Sequence, residues 1–265
     1  MKRLLSKFGF YASVFVLVSP AVLVFLWMIS LSLKNELDNT AFPPVFIPSP
    51  PTFANYLDVF EKNNFALYLW NSILVTGGAV LVGLAVGVPA GYGIARGKAH
   101  KFAILILVAR MTPALSYLIP LFLLFQITGL VGTVTALVIT HLVITIPIIV
   151  WIMIGYFENV PMELEDAARI DVASTWQAFR HVALPLARPG IVVGGILAFI
   201  FSVVLGGKAS RTLPSAVYNS LTFEQISWGP LAAAALLVTL PVLLLTVLAQ
   251  REIVAGLSAG GLKDG

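Results

Sequence analysis

Long apolar runs alternate with short polar segments along this chain. Residues 8–33 form a run of 26 residues without Asp, Glu, Lys or Arg, and residues 111–157 form another of 47 residues. A helix needs about 20 mostly apolar residues to cross the hydrocarbon core of a bilayer. The longer run therefore predicts two helices, and Gly129 and Gly132 indicate a turn between them.

The same criterion, applied to the whole chain, predicts an all-α fold with six membrane-spanning helices in one domain over residues 1–265. The fifth helix is short, because its 17 residues rise only about 25 Å, against a hydrocarbon core of about 30 Å. Prolines inside the predicted spans, among them Pro113, permit kinks. The predicted spans are residues 10–33, 67–95, 102–127, 132–157, 190–206 and 229–250.

Composition supports a membrane as the solvent of this protein. The chain is 59% hydrophobic and 11% charged, whereas about a quarter of the residues in soluble domains are charged. It has no cysteine, which excludes disulfides and thiolate metal sites. Three scattered histidines (His100, His141 and His181) do not predict a metal cluster. We interpret the first apolar run as a retained span, because the apolar core of a signal peptide is shorter.

The distribution of basic residues predicts the orientation. With the N-terminus inside, the inner segments carry 11 Lys and Arg and the outer segments carry 4. Cytoplasmic segments carry the excess of positive charge, so both termini are predicted to be cytoplasmic. Arg110 lies within the third span. It either has a function there or extends its side chain to the inner interface, and we favour the second reading.

Small and polar residues inside the spans predict helix packing. Gly83, Gly87 and Gly91 recur at four-residue spacing, which places them on one helical face where another helix can approach closely. His141 is predicted to form a hydrogen bond between packed helices, and a position in the translocation path is the alternative.

The predicted inner loop at residues 158–189 is unusually polar for this chain. Three acids follow Pro161, and acids in the first turns of a helix interact favourably with its dipole. A second helix can begin at Ser174 or Thr175, either of which can act as its N-cap. The 158–189 loop therefore predicts two short helices.

Ala167 and Ala168 lie side by side in the first of these two helices. Small side chains let a helix enter a groove on a partner protein, and nearby charges can fix its register through charged hydrogen bonds. An amphipathic helix on the membrane surface is the alternative, and the residues alone weigh the two equally.

The 158–189 loop resembles the EAA loop of ABC importer permeases. The resemblance extends over nearly the whole chain and is closest to the MalG-like carbohydrate permeases. The matching residues in the loop are Asp166-Ala167-Ala168, Asp171, Leu184-Pro185 and Pro189-Gly190, and elsewhere they are Asn71-Ser72, Ala90-Gly91-Tyr92 and residues 254–261.

The resemblance implies a coupling helix seated in a cleft of an ATPase subunit. It also implies that the C-terminal tail, residues 251–265, contacts the ATPase dimer. The outer loop at residues 207–228 lies where relatives meet the binding protein, and a solvated loop is the alternative there. The implied coupling residues are Glu165, Asp166, Ala167, Ala168, Arg169, Asp171 and Val172. The implied tail contacts are Gly256, Leu257, Ser258 and Gly260, and those of the outer loop are Arg211, Tyr218, Asn219 and Glu224.

Two positions depart from the family pattern. Val172 stands where the family has glycine, and a β-branched residue is costly if that turn needs a positive φ. The fifth span continues directly from Ser202 into apolar residues, whereas relatives insert a polar and aromatic stretch there.

Nothing in the sequence predicts catalysis by the chain itself. It lacks the nucleotide-binding pattern Gly-x-x-x-x-Gly-Lys-Ser/Thr, and no catalytic constellation is predicted. Asp and Glu are missing from every predicted span, which counts against an ion-coupled secondary transporter.

We therefore expect a permease subunit of an ATP-driven, binding-protein-dependent importer for a sugar or sugar derivative. The resemblance implies a bacterial plasma (inner) membrane location. Its implied partners are a second homologous permease, two ATPase subunits that bind the ATP, an extracytoplasmic solute-binding protein and membrane lipid. We expect no cofactor, metal or nucleic acid. The alternatives are a non-transporting membrane scaffold or receptor, and a permease for a non-sugar solute.

Overall fold

The computed structural model describes residues 2–62, 65–170, 174–204, 212, 217 and 227–261. Regular structure in this described part consists of helices, without strands. The chain divides into two compact units, which are Met1–Leu67 with Ser215–Leu240, and Tyr68–Pro214 with Pro241–Gly265. That residues 1–265 act as one domain stays a prediction.

Among the described residues, four helices are long and apolar enough to cross a membrane. They coincide within a few residues with the first, second, fourth and sixth predicted spans, except that the first begins earlier and the last continues through most of the predicted tail. These helices are α1 (Lys2–Ser32), α4 (Phe65–Arg96), α7 (Val134–Asn159) and α12 (Trp228–Gly261). The shorter helices outside the 158–189 loop are α2 (Glu36–Asn39), α3 (Ala54–Lys62), α5 (His100–Met111), α6 (Ala114–Ile127) and α11 (Arg188–Val204).

The third predicted span is bent by 89° between α5 and α6. Thr112 is extended, with ψ 127°, which is the conformation that a following proline imposes. Pro113 therefore breaks the span.

The fifth predicted span begins after a second bend. The loop helix that ends at Leu186 meets α11 at an angle of 74°. Ala187 leaves the helical conformation between them, and Pro189 lies in the first turn of α11, where its missing N–H costs no hydrogen bond. α11 has 17 residues within the described part of the chain, and the length of the fifth span stays a prediction. If each bent pair is one span, the total reaches six; the number that cross a membrane stays a prediction.

The first unit contains the ordered segment that follows α1. Lys34 is only 1% exposed, and its Nζ donates a hydrogen bond of 2.6 Å to the carbonyl of Val45 and lies 4.3 Å from the ring centre of Trp27. Burial lowers the pKa of Lys34, and the charge of Asp38 acts in the opposite direction. The amide of Asn55 donates to the Lys34 carbonyl.

The second unit is built on the close approach of α4 and α7. A Cβ added at Gly91 would lie 2.7 Å from the Cβ of Met153, and one added at Gly87 would lie 2.7 Å from a methyl of Ile149. The added atom at Gly91 would also lie 3.2 Å from the Val150 carbonyl. The prediction that this glycine face packs against another helix is confirmed.

α11 also packs against α7 within the same unit. His141 and Ser202 are buried, and the Nδ1 of the histidine and the Oγ of the serine are 2.5 Å apart in a hydrogen bond. The prediction that His141 makes a hydrogen bond between packed helices is confirmed.

Candidate functional site

The 158–189 loop folds as two short helical segments, as predicted. The first is α8 (Met162–Ile170), which begins directly after Pro161 and carries Glu163 and Glu165 in its first turn. The second segment begins after Ser174, whose hydroxyl accepts from the N–H of Gln177 while the Gln177 side chain accepts from the Ser174 N–H. This capping box confirms one of the two predicted starts. The segments are α8 (Met162–Ile170), α9 (Thr175–Ala178), a π-helical turn (Phe179–Ala183) and α10 (Leu184–Leu186).

Glu165 of α8 is completely buried, although it is a carboxylate in a short polar helix. Its Oε2 accepts a hydrogen bond of 2.6 Å from the hydroxyl of Tyr92. Its Oε1 accepts bonds of 2.8 and 2.6 Å from the Nε and Nη2 of Arg96. Tyr92 and Arg96 both belong to the last turns of α4, four residues apart on one helical face. We call these three residues the Glu165 cluster.

Arg96 joins three segments of the chain. Its Nη2 also donates a hydrogen bond of 3.0 Å to the carbonyl of Val160, the residue that directly follows α7. Each hydrogen bond to a charged group contributes about 1.5–3 kcal/mol net, and removing one partner of a buried ion pair costs about 3–5 kcal/mol. The Glu165 cluster therefore fixes α8 to the ends of both α4 and α7.

Phe179 provides a second, apolar attachment of the loop. Its ring centre lies 4.6 Å from that of Tyr92 and 6.1 Å from that of Phe157, and Tyr92 and Phe157 are themselves 5.3 Å apart in an edge-to-face contact. Such aromatic pairs add about 0.5–1.5 kcal/mol each beyond the burial of their area. The aromatic cluster makes the second loop segment part of the core of its unit.

The opposite face of α8 is exposed. Asp166 is 56% exposed and lies 3.5 Å from Arg169, an exposed contact that contributes little to stability. Ala167 is exposed next to it, and the large side chains of Leu164 and Ile170 are exposed as well. α8 thus presents a small residue, a carboxylate and apolar side chains on one surface.

The structure separates the predicted coupling residues by their surroundings. Glu165 faces the interior of its own unit and offers no surface to a partner. Asp166 and Ala167 face outward, and Ala168 and Arg169 are half-buried. Asp171 and Val172, and the four outer-loop residues Arg211, Tyr218, Asn219 and Glu224, lie outside the described residues. Gly256, Leu257, Ser258 and Gly260 belong to the last turns of α12.

Sequence reasoning gave no role to Arg96 and did not place Phe179 in a site. The sequence feature that could have indicated a role for Arg96 is its position at the inner end of the second span, with Tyr92 one turn earlier on the same face. Its partner lies 69 residues later in the chain. Local spacing therefore cannot identify which of the acids in α8 it meets.

Comparison with known proteins assigns the chain to a family. A family model described as the inner membrane component of binding-protein-dependent transport systems matches residues 80–255. This protein belongs to that family. Its members are transmembrane subunits of ABC transporters, and the ATPase is a separate subunit. The matched region includes the second half of α4, all of α7 and α11, and the whole 158–189 loop.

Two relatives extend the match over most of the chain. The trehalose transport system permease protein SugB of Mycobacterium tuberculosis is 35% identical over 93% of this chain and 94% of its own length. The sulfoquinovosyl glycerol transport system permease protein SmoH of Agrobacterium fabrum is 32% identical over 90% and 87%. A bacterial ABC transporter that imports alginate has a similar fold, with a TM-score of 0.74 at 22% identity over 93% of this chain and 96% of that chain.

Proposed function

We propose that this permease carries a sugar or sugar derivative inward in an ATP-driven importer, and that the 158–189 loop couples it to the ATPase. The transported class is supported by the relatives SugB and SmoH, whose names describe transport of trehalose and of sulfoquinovosyl glycerol. In this proposal the chain forms half of the translocation path and binds no nucleotide itself.

The observation that supports the coupling role is that α8 has one buried face and one exposed face. Its inner face is attached to α4 and α7 through Glu165, and its outer face presents Asp166 and Ala167. A partner that displaces α8 therefore displaces both helices with it. ATP binding then shifts the transport cycle, because the ATPase makes different contacts with α8 in its two states.

The proposed assembly contains a second homologous permease, two ATPase subunits and an extracytoplasmic solute-binding protein in the plasma membrane of a bacterium. The family description, which names binding-protein-dependent transport, supports the last of these partners. In this assembly the 158–189 loop and both chain termini face the cytoplasm, and the end of α12 lies near the ATPase.

We expect Ala167→Leu to abolish association with the ATPase while leaving membrane insertion intact. Ala167 is exposed, so a larger side chain there fills space that a cleft on the partner needs. Co-purification of the ATPase with the tagged permease measures the effect.

Ala167→Ser is the matched control, because it keeps the small volume and should retain the ATPase. If Ala167→Leu also retains it, the assignment of α8 as the docking helix is wrong. The transported class is tested separately. Uptake of labelled disaccharides should depend on the permease, and exclusive uptake of an amino acid would contradict the sugar assignment.

A further inference from the structure

A narrow apolar groove lies beside the 158–189 loop, within the unit that contains α4 and α11. Its cavity volume is about 280 Å³, and its walls are almost entirely apolar. A helix with side chains has a diameter of about 10 Å, so this groove is too small for one but fits part of an acyl chain. Its lining includes Leu84, Ala85 and Pro89 of α4, Phe179, Leu184 of α10, and Ile191 of α11.

Two arginines lie next to the groove in the chain. Arg180 directly follows Phe179 in the π-helical turn. Arg188 precedes Ile191 by three residues in α11, and residues three apart are neighbours on the surface of an α-helix. Both arginines are exposed. Within the part of the chain that the structure describes, neither guanidinium forms an ion pair or a hydrogen bond.

Arg188 lies at the bend where the loop helix meets α11 at 74°, and Arg180 lies in the π-helical turn before it. α11 continues from this bend as an apolar helix, so both arginines belong to the end of a span or to the loop before it rather than to its middle. Two arginines next to an apolar groove between membrane helices are complementary to a lipid with a negative headgroup and a long acyl chain.

We infer that this groove binds one anionic glycerophospholipid of the inner leaflet, with its phosphate held by Arg180 and Arg188 and one acyl chain lying along Leu84, Ala85 and Ile191. The inference rests on the proposed orientation, in which the 158–189 loop faces the cytoplasm. A lipid bound here contacts α4, α11 and the loop segment at once, so it stabilises the bend between loop and span.

The test measures lipid binding to the purified full-length chain in a non-ionic detergent by native mass spectrometry. Dioleoylphosphatidylglycerol is compared with dioleoylphosphatidylcholine, which has the same acyl chains without the net charge. We expect one tightly retained phosphatidylglycerol. Arg180→Gln and Arg188→Gln should each weaken its binding about tenfold, since each removes a charged hydrogen bond. Equal retention of the two lipids by the unaltered chain would overturn the inference.

Two further variants distinguish specific lipid binding in the groove from unspecific attraction of an anionic lipid to positive charge. Arg110→Gln removes an exposed arginine of α5 that does not line the groove, so it should leave binding unchanged; a loss as large as that of Arg188→Gln would mean unspecific charge attraction and overturn the site. Ala85→Phe fills the groove from an exposed position and should weaken phosphatidylglycerol binding without lowering the thermal unfolding midpoint of the lipid-free chain. Unchanged lipid binding in that variant would also count against the groove.

A photo-crosslinking residue at position 85 identifies the occupant in native membranes. A crosslink to phospholipid supports the inference, and one to another permease chain overturns it. The lipid measurements need no ATPase and no transported solute. Their failure therefore leaves the coupling proposal standing, whereas a failed Ala167→Leu experiment with intact lipid binding contradicts the coupling proposal alone.

Discussion

Glu165→Ala is expected to lower the thermal unfolding midpoint of the purified permease by roughly 10 °C, corresponding to about 3–5 kcal/mol. The variant leaves the largely buried guanidinium of Arg96, 13% exposed, without its counter-charge, and it leaves the hydroxyl of Tyr92 without an acceptor. The expected decrease in the free energy of unfolding is larger than that for losing a single neutral hydrogen bond, because a buried charge remains unpaired. Differential scanning fluorimetry in detergent measures the midpoint.

Asp166→Ala is the matched control, since the two acids are adjacent in α8. Asp166 is exposed and its contact with Arg169 is 3.5 Å, so its removal should change the free energy of unfolding by less than about 1 kcal/mol. Equal losses in the two variants would mean that Glu165 does not form the buried pair with Arg96.

A double variant distinguishes the effect of the unpaired charge from the loss of the loop's attachment. Replacing Arg96 with Met and Glu165 with Leu together removes both charges, and an apolar pair of similar volume commonly restores the stability that a broken ion pair loses. We expect the unfolding midpoint to return to within a few degrees of the unaltered chain. A double variant as unstable as Glu165→Ala would assign the loss to the shape of the site rather than to the uncompensated charge.

Gly91→Ala is expected to destabilise the permease by about 1–3 kcal/mol, the usual cost of overpacking a tight contact. The new methyl would lie 2.7 Å from the Met153 Cβ, 3.2 Å from the Val150 carbonyl and 3.3 Å from the Ile154 nitrogen. These are backbone atoms or the first atom of a side chain, so no rotamer change relieves the clash and α4 must move away from α7. The thermal unfolding midpoint, measured as above, reports the loss.

Gly93→Ala provides the control on the same helix. No atom lies within 4 Å of a Cβ added at Gly93, and alanine favours a helix over glycine by up to about 1 kcal/mol. This variant should be neutral or slightly more stable. If Gly91→Ala matches it, the two helices are not in the close contact described.

The apolar pattern predicts most of the helices, because a helix in lipid requires only that its own residues be apolar over a sufficient length. α4 and α7 follow from this requirement, and the glycines of α4 also predict their own close contact. The two short helices of the 158–189 loop are predicted from the residues that begin and end them. All of these predictions depend only on residues a few positions apart in the chain.

The bends and the Glu165 cluster depend on distant residues and were not predictable in the same way. Pro113 permits a break but does not determine an angle of 89°. The acids of α8 are equivalent by composition, and only the position of Arg96 on α4 distinguishes Glu165 from Asp166. A contact between residues 69 positions apart leaves no periodic trace in one sequence.

The glycine contact between α4 and α7 has a consequence for how this permease changes conformation. Two helices whose backbones lie this close cannot slide past each other without opening gaps or clashes. Arg96 also attaches the ends of α4 and α7 to α8 through its hydrogen bonds. We therefore expect α4, α7 and α8 to rotate together as one rigid body when a partner moves α8. We expect the chain to bend instead at the two places where its helices are interrupted, Thr112-Pro113 and Ala187.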